Sequence, residues 1–459
     1  MSASAKPRLA GRQPSSSRWG APGDDRADGD RRSATRTSSQ VPGTWRQFVQ
    51  STLTAPRVLG DDLTVTLADG RVTRHINLDY AATAPCLAAV ADAVNELLPW
   101  YASVHRGAGA ASRRCTHAYE LARETIADFV GTRPDDHVVF TRNTTDAMNL
   151  LAAAVPAGTT VILWEGEHHA NLLPWHNVVR LPIPSDVDTA LIDVAGALAR
   201  VDGPALVTVT GASNVTGEVW PIEAIAELAH SFGARIAVDA AQLAPHRPVS
   251  LSRSQVDYLA LSGHKLYAPF GSGILAGRAD WLDAARPYLA GGGATEHVRD
   301  GGLDIDWHVG PARHEAGTPN LLGAVALAAA CSTIADADRH LLAAHEQSLL
   351  NRLRSGLDEI ADVAELRSFD ADHDRVGIVS FAVGRVPAAD VSTHLAQNYG
   401  IGVRDGLFCA HPFTNRLLAD ASVRAGSPLP ANAVRASIGI GSTAAHIDTF
   451  LDGIRTLPR

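Results

Sequence analysis

From about residue 76 onward, short β-branched runs alternate with stretches that carry apolar residues at helical spacing. The runs "HVVFT" (137–141), "TVILW" (160–164), "ALVTVT" (205–210), "RIAVD" (235–239) and "VDYLAL" (256–261) read as buried strands. Helical repeats such as "TTDAMNLLAAAV" and "IEAIAELAHSFG" separate them. No other feature constrains the fold as tightly. Strands buried on both faces and joined through helices form a mainly parallel sheet flanked by helices, an α/β fold. Ligands of such sheets sit at the carboxyl ends of the strands.

At 459 residues the chain exceeds one ordinary domain. A large α/β domain is expected over 46–325, including an amino-terminal lead-in, with a smaller α+β domain over 326–459. The smaller one is read from a helix-rich run beginning at 321, followed by "VGIVSFAV" (376–383) and "GIGVRDG" (400–406). Residues 1–45 are rich in Ser, Arg, Gly, Pro and Asp, a composition that predicts a disordered tail. The tail has no apolar stretch suited to a secretory signal. No run approaches the roughly 18 apolar residues that span a bilayer. A net charge of -9 argues against nucleic acid or an anionic membrane as partner. Cys86, Cys115, Cys331 and Cys409 show no metal spacing and no CxxC, and read as free thiols of a reducing, cytoplasmic setting.

Against this background one residue stands out. Of 40 Lys plus Arg, only Lys6 and Lys265 are lysines. A guanidinium stays charged, whereas a desolvated amine can lose its proton and condense with a carbonyl. Lys265 sits in "LALSGHKLYAPFGSG" (259–273), just past a strand. The other strand ends are equally polar. Asp239 closes "RIAVD", and a carboxylate there is costly unless a cation such as a pyridinium nitrogen meets it. Thr144, Thr145 and Asp146 open a helix after "HVVFT", where hydroxyls and free N–H groups can cradle a phosphate. His168 and His169 follow "TVILW", and an imidazole there can stack on an aromatic ring. Ser262 and His264 flank the lysine. A threonine-rich helix start, a stacking ring, an aspartate and a lysine, in this order along the chain, describe a site for pyridoxal 5'-phosphate.

With these residues in view, the sequence resembles the class V aminotransferase superfamily of fold type I pyridoxal phosphate enzymes. Within it the likeness is to the group II branch of cysteine desulfurases and selenocysteine lyases. The matching segments are "NLDYAATAP" (77–85), "VHRG" (104–107), "YELARETIADFVG" (119–131), "EHHANLLPW" (167–175), "SNVTGEVWPI" (213–222), "VDAAQLAPH" (238–246), "SGHKLYAPFGSGIL" (262–275), "HEAGTPN" (314–320), "VRDGLFCAHP" (403–412) and "VRASIGI" (434–440). The resemblance implies that Lys265 carries the cofactor covalently and that Asp239 pairs with the pyridine nitrogen. It places Gln242 and Asn214 near the phenolic oxygen and His168 on the ring face. Thr144, Thr145, Ser262 and His264 would bind the phosphate, with Thr318 of a neighbouring subunit, which implies a homodimer. Arg435 would bind the substrate carboxylate, helped by Arg404. Cys409 would take sulfur from L-cysteine, or selenium from selenocysteine, leaving alanine and a persulfide for a sulfur-acceptor protein.

Several positions depart from the group II pattern. Leu407 and Phe408 stand where two histidines commonly precede the cysteine, and Gly109 replaces another histidine. Asp146 replaces a glutamate, Ala268 a glycine, and "IGIGST" a Tyr-Asn-Thr ending. The alternative reading is therefore a C–S lyase, aminotransferase or epimerase of the same superfamily acting on another amino acid.

Overall fold

A computed structural model describes residues 55–458; the tail expected over 1–45 lies outside the described residues. The large sheet is built from β1 (Asp136–Thr141), β2 (Thr160–Trp164), β3 (Val178–Leu181), β4 (Ala205–Thr210), β5 (Arg235–Asp239), β6 (Tyr258–Ser262) and β7 (Gly273–Arg278). Their spatial order is β1-β7-β6-β5-β4-β2-β3. All pairings are parallel except the two made by β7, which runs against both neighbours. The burial on both faces expected of these runs is realised. Ile162 and Trp164 of β2 enter one core, while Val161 and Leu163 enter another on the opposite face. Because the parallel strands share one direction, Thr141, Trp164, Thr210, Asp239 and Ser262 all end at the same edge.

The helices that matter here are α1 (Ala110–Phe129), α2 (Thr144–Ala154), α3 (His169–Leu172), α4 (Leu321–Asp336), α5 (Arg339–Asp358), α6 (Ala388–Tyr399), α7 (His411–Ala425) and α8 (Ala444–Arg455). The helix-rich run from 321 is two helices meeting at 89°, broken where Asp338 caps α5 with its carboxylate. No single helix among the described residues is long and apolar enough to cross a membrane. The division expected at residue 325 falls inside α4. Leu321, Ala324, Leu327, Cys331 and Ile334 are all buried in the core of the large sheet, so the whole of α4 packs there. A helix apolar on every side has to be covered on every side.

A second, antiparallel sheet contains β8 (Val363–Glu365), β9 (Ile378–Val383), β10 (Arg404–Gly406) and β11 (Ala433–Ser437) in the order β8-β9-β11-β10. Val379, Phe381 and Val383 of β9 pack against Leu353 of α5, Leu395 of α6 and Phe450 of α8. Ala382 faces the other way, toward Leu417 of α7. The run "GIGVRDG" does not form one strand. Ile401–Gly402 pairs in parallel with Ile76–Asn77, and after Val403 the chain joins β11 as β10. The switch puts Arg404 directly across from Arg435.

The two sheets meet at a tight turn after β4. Gly217 has φ +75, and its carbonyl accepts from the Val376 amide at 2.9 Å. A Cβ at Gly217 would lie 2.7 Å from the carbonyl oxygens of both Val376 and Ile378. Gly158 also has a positive φ, +83, but open space around it. A left-handed non-glycine residue costs about 1–2 kcal/mol at either position, and only residue 217 adds a backbone collision. Gly217→Ala should therefore lower the melting temperature clearly more than Gly158→Ala. Equal losses in a thermal scan would show that the close approach is not rigid.

Candidate active site

Beyond β6 a single turn, Gly263–Lys265, delivers the lysine to the edge where the strands end. Strand register sets the partner: Asp239 lies across from Ala260 on β6. The Asp239 side chain is buried, and the Ala241 amide donates to its Oδ1 at 3.0 Å. Burial raises the Asp239 pKa, and the nearby Lys265 pulls it back. Burial likewise pushes the Lys265 amine down to about 8; Asp239 opposes the shift and Arg435 reinforces it. The lysine is thus close to losing its proton at neutral pH, as an amine nucleophile requires.

The start of α2 closes the next side. The Asn143 side chain caps the helix by accepting from the Asp146 amide at 3.0 Å. The Thr144 amide donates to Ser262 Oγ at 2.8 Å, and the two hydroxyls lie 2.8 Å apart. Thr145 is exposed on the same first turn. His264 Nδ1 is 3.0 Å from the Thr83 hydroxyl. Asp146 turns away, accepting from Arg142 at 2.9 Å and from the Tyr288 hydroxyl at 3.1 Å. At Gly273 any Cβ would sit 2.7 Å from Asn143 Cα, so glycine lets β7 begin against the helix start. Ser272 Oγ is buried beside this junction without a hydrogen-bond partner among the described residues.

His168 caps α3 through its own ring: Nδ1 accepts from the Ala170 amide at 3.0 Å, which leaves the proton on Nε2. Burial, with Lys265 second, pushes its pKa down to about 3. The imidazole is neutral and fixed in orientation, as a stacking ring should be. Beneath it lies a network that sequence reasoning left unassigned. Glu167 is fully buried and accepts from the Asn171 amide group at 2.8 Å and the Thr210 amide at 3.1 Å. Thr208 donates to Asn171 at 2.5 Å. Burial raises the Glu167 pKa to about 8, against the pull of these hydrogen bonds. An acidic residue next to paired histidines at a strand end was the available signal.

Arg435, buried on β11, comes from the smaller sheet. Its Nη1 donates to the Asn214 carbonyl at 2.9 Å, and Nη2 lies 3.4 Å from Asp79 Oδ1. Its Nε is buried with no partner among the described residues. Burial pushes its pKa down to about 10, with Asp79 opposing. Arg404 is half-exposed and grips the same Asp79 at 2.8 and 3.1 Å. Asp79 is therefore the shared counter-ion of both arginines, a role the motif "NLDYAATAP" did not disclose. Asn214 sends its amide nitrogen to the Phe408 carbonyl at 2.7 Å. Gln242 donates to the Ala81 carbonyl at 2.8 Å.

Cys409 is exposed and near enough to Lys265, Arg404 and Arg435 to act on each electrostatically. Its carbonyl accepts from the His169 amide at 2.8 Å, and His411 packs on His169 with ring centroids 4.6 Å apart. Cys115 and Cys331 are buried in helices, and burial raises the pKa of Cys86 and Cys331. Thr318 is exposed and takes part in none of the cradle contacts above. Its loop is anchored by Glu315, which accepts from Arg123 at 2.7 and 2.9 Å, from the Tyr119 hydroxyl at 3.0 Å and from the Phe140 amide at 2.7 Å.

The donor set fits pyridoxal 5'-phosphate. A buried carboxylate stands where a ring cation would meet it, the Nε of a buried guanidinium and a buried hydroxyl lack partners among the described residues, and the helix start offers a hydroxyl-lined anion site. Sheet and site together define a pyridoxal phosphate-dependent enzyme. The aminotransferase class-V family model matches residues 76–450, and the chain belongs to that family. A cysteine desulfurase of Dickeya dadantii is 36% identical over 399 residues, covering 83% of this chain and 92% of that protein. One of Haloferax volcanii is 36% identical over 383 residues, covering 80% and 88%. Among solved structures, a cysteine desulfurase of Thermococcus onnurineus superposes with TM-score 0.74 at 30% identity, covering 88% of this chain and 98% of its own. The Escherichia coli enzyme CsdA superposes at 0.70 and 31%, covering 83% and 94%.

The depressed amine gives a direct test. Cyanate carbamylates only the unprotonated form, so in the cofactor-free protein the rate at Lys265 should be half-maximal near pH 8, where its pKa falls. Below that pH the ammonium form should be inert. A midpoint near the ordinary lysine value of about 10.4 would contradict the buried site.

Proposed function

We propose that the protein is a cysteine desulfurase, releasing alanine from L-cysteine while the sulfur passes to Cys409. The observation that carries this reading is the convergence of an exposed thiol, a buried guanidinium and a depressed lysine at one sheet edge. The curated relatives, matched over 92% and 88% of their own length, support it.

Lys265 would hold pyridoxal phosphate covalently, with Asp239 at its ring nitrogen, His168 on its face, and Gln242 and Asn214 at its phenolic oxygen. Thr144, Thr145, Ser262 and His264 would hold its phosphate. Bound there, the cofactor supplies an electron sink for the charge left when the Cα proton departs. Asp239, an anion in a dry setting, favours a protonated ring nitrogen. Arg435 receives the substrate carboxylate on the edge that carries its unpartnered Nε, with the Asn214 carbonyl on Nη1 and Asp79 at Nη2 holding the rest of the fork. Lys265, once its amine is free, removes the Cα proton and returns one. The Cys409 thiolate forms an S–S bond as the substrate C–S bond breaks, and the bonding pair stays on carbon, where a proton completes alanine. The persulfide then stands on an exposed residue, within reach of an acceptor thiol.

Two finer readings go with this one. Thr318 is exposed, on a loop made rigid by Glu315, which suits it to complete the phosphate site of a second copy in a homodimer. Free thiols suit a reducing, cytoplasmic setting.

Cys409→Ser separates sulfur transfer from the other reactions of this cofactor. The variant should keep the cofactor and the binding of L-cysteine, because Lys265, Asp239 and Arg435 are intact. Alanine formation should fall by orders of magnitude, as loss of a covalent nucleophile generally does. Full activity of Cys409→Ser on any amino acid would make the enzyme a lyase or aminotransferase instead.

A further inference from the structure

Phe408 is the one buried aromatic ring in the segment that presents Cys409, and it makes contacts on three sides. Its ring lies under the Arg435 guanidinium, 5.0 Å from Cζ to centroid. Its carbonyl accepts from the Asn214 amide nitrogen at 2.7 Å, while the Asn214 carbonyl accepts from Arg435 at 2.9 Å. Its edge packs with Val215, Phe413 and Leu417. Phe408 and Cys409 also have consecutive left-handed backbones, φ +53 and +52, although neither is glycine. Such a conformation persists only where the surroundings enforce it. Here they do: Asn214 holds one carbonyl, the His169 amide holds the next, and the Ala410 amide donates back to Leu407 at 3.0 Å. The ring is 7% exposed while the neighbouring thiol projects outward.

We propose that Phe408 is a positioning residue that couples the carboxylate-binding guanidinium to the nucleophilic thiol. Its flat face fixes the plane of Arg435, and therefore the direction in which the unpartnered Nε meets a carboxylate. The same ring, seated between Arg435 and the α7 core, pins the strained backbone that aims Cys409. A substrate gripped by Arg435 is thus held in register with the sulfur nucleophile by one side chain. The role requires a planar ring rather than bulk, since only a π face attracts the cation. The inference rests on the reading of Arg435 as the carboxylate site and Cys409 as the nucleophile.

The test compares Phe408→Leu, Phe408→Met and Phe408→Tyr in the holoenzyme. Leu and Met keep apolar volume without a ring, and either serves if the other fails to fold; Tyr keeps the ring. Loss of a cation–π contact should raise the KM for L-cysteine, and the Kd for L-alanine read from the cofactor spectrum, by about 2- to 30-fold. Misplacement of the thiol should lower kcat by about tenfold or more. Alkylation of Cys409 by iodoacetamide should nonetheless become faster, because the exposed thiol is no longer held in one direction by the strained backbone and meets the reagent from more angles. Turnover and thiol reactivity moving in opposite directions, with Tyr restoring both, is the signature of positioning. A folded Leu or Met variant with unchanged constants, or one in which both quantities fall together, overturns the proposal. The alkylation and L-alanine measurements need no turnover, so they judge Phe408 even if wild-type protein forms no alanine from cysteine.

Discussion

A half-buried lysine and a buried aspartate set together at the ends of two parallel strands are the constraint around which the rest is arranged. Neither charge is tolerable there alone: burial drives the Asp239 pKa up and the Lys265 pKa down, and each moderates the shift of the other. The pairing depends on strand order. β5 and β6 are adjacent and parallel, so both residues emerge at one edge, and β7 runs back beside them only because glycine at 273 lets it approach α2. The cradle of Thr144 and Ser262 and the neutral ring of His168 stand on the same edge because their strands share that direction.

The second constraint is that two arginines of the site come from the other sheet. Arg435 and Arg404, cross-strand neighbours on β11 and β10, both bind Asp79, which precedes the large sheet in sequence. Backbone pairing of Ile76–Asn77 with Ile401–Gly402 and the bridge from Asp79 to Ser437 hold this carboxylate in place. The Arg435 guanidinium is therefore held in place by the same segment that joins the two sheets. Phe408 and Asn214 extend the same network to the thiol.

Much of this is legible in the sequence, for identifiable reasons. Five of the seven large-sheet strands form where the β-branched runs lie, whereas β3 and the antiparallel β7 lie outside those runs. Lys265 is conspicuous because arginine does the ordinary cationic work elsewhere, and Asp239 because a carboxylate closing an apolar strand needs a partner. What stays hidden depends on contacts between distant segments. Asp79 and Arg435 are 356 residues apart, and no local period reports their pairing. The break at Val403 is equally silent, since "GIGVRDG" has the composition of one strand and only tertiary pairing divides it. The left-handed backbone at Phe408 and Cys409 runs against the preference of both residue types, so local propensity points away from it.

The central claim is that Cys409, held opposite Lys265 and Arg435, takes sulfur from the substrate. It is tested most directly by incubating the protein with L-cysteine, blocking thiols with iodoacetamide, and mapping the peptides by mass spectrometry. The account predicts one extra sulfur atom on the peptide containing residue 409, and none on those containing Cys86, Cys115 or Cys331. Alanine formed while residue 409 carries no extra sulfur would contradict it.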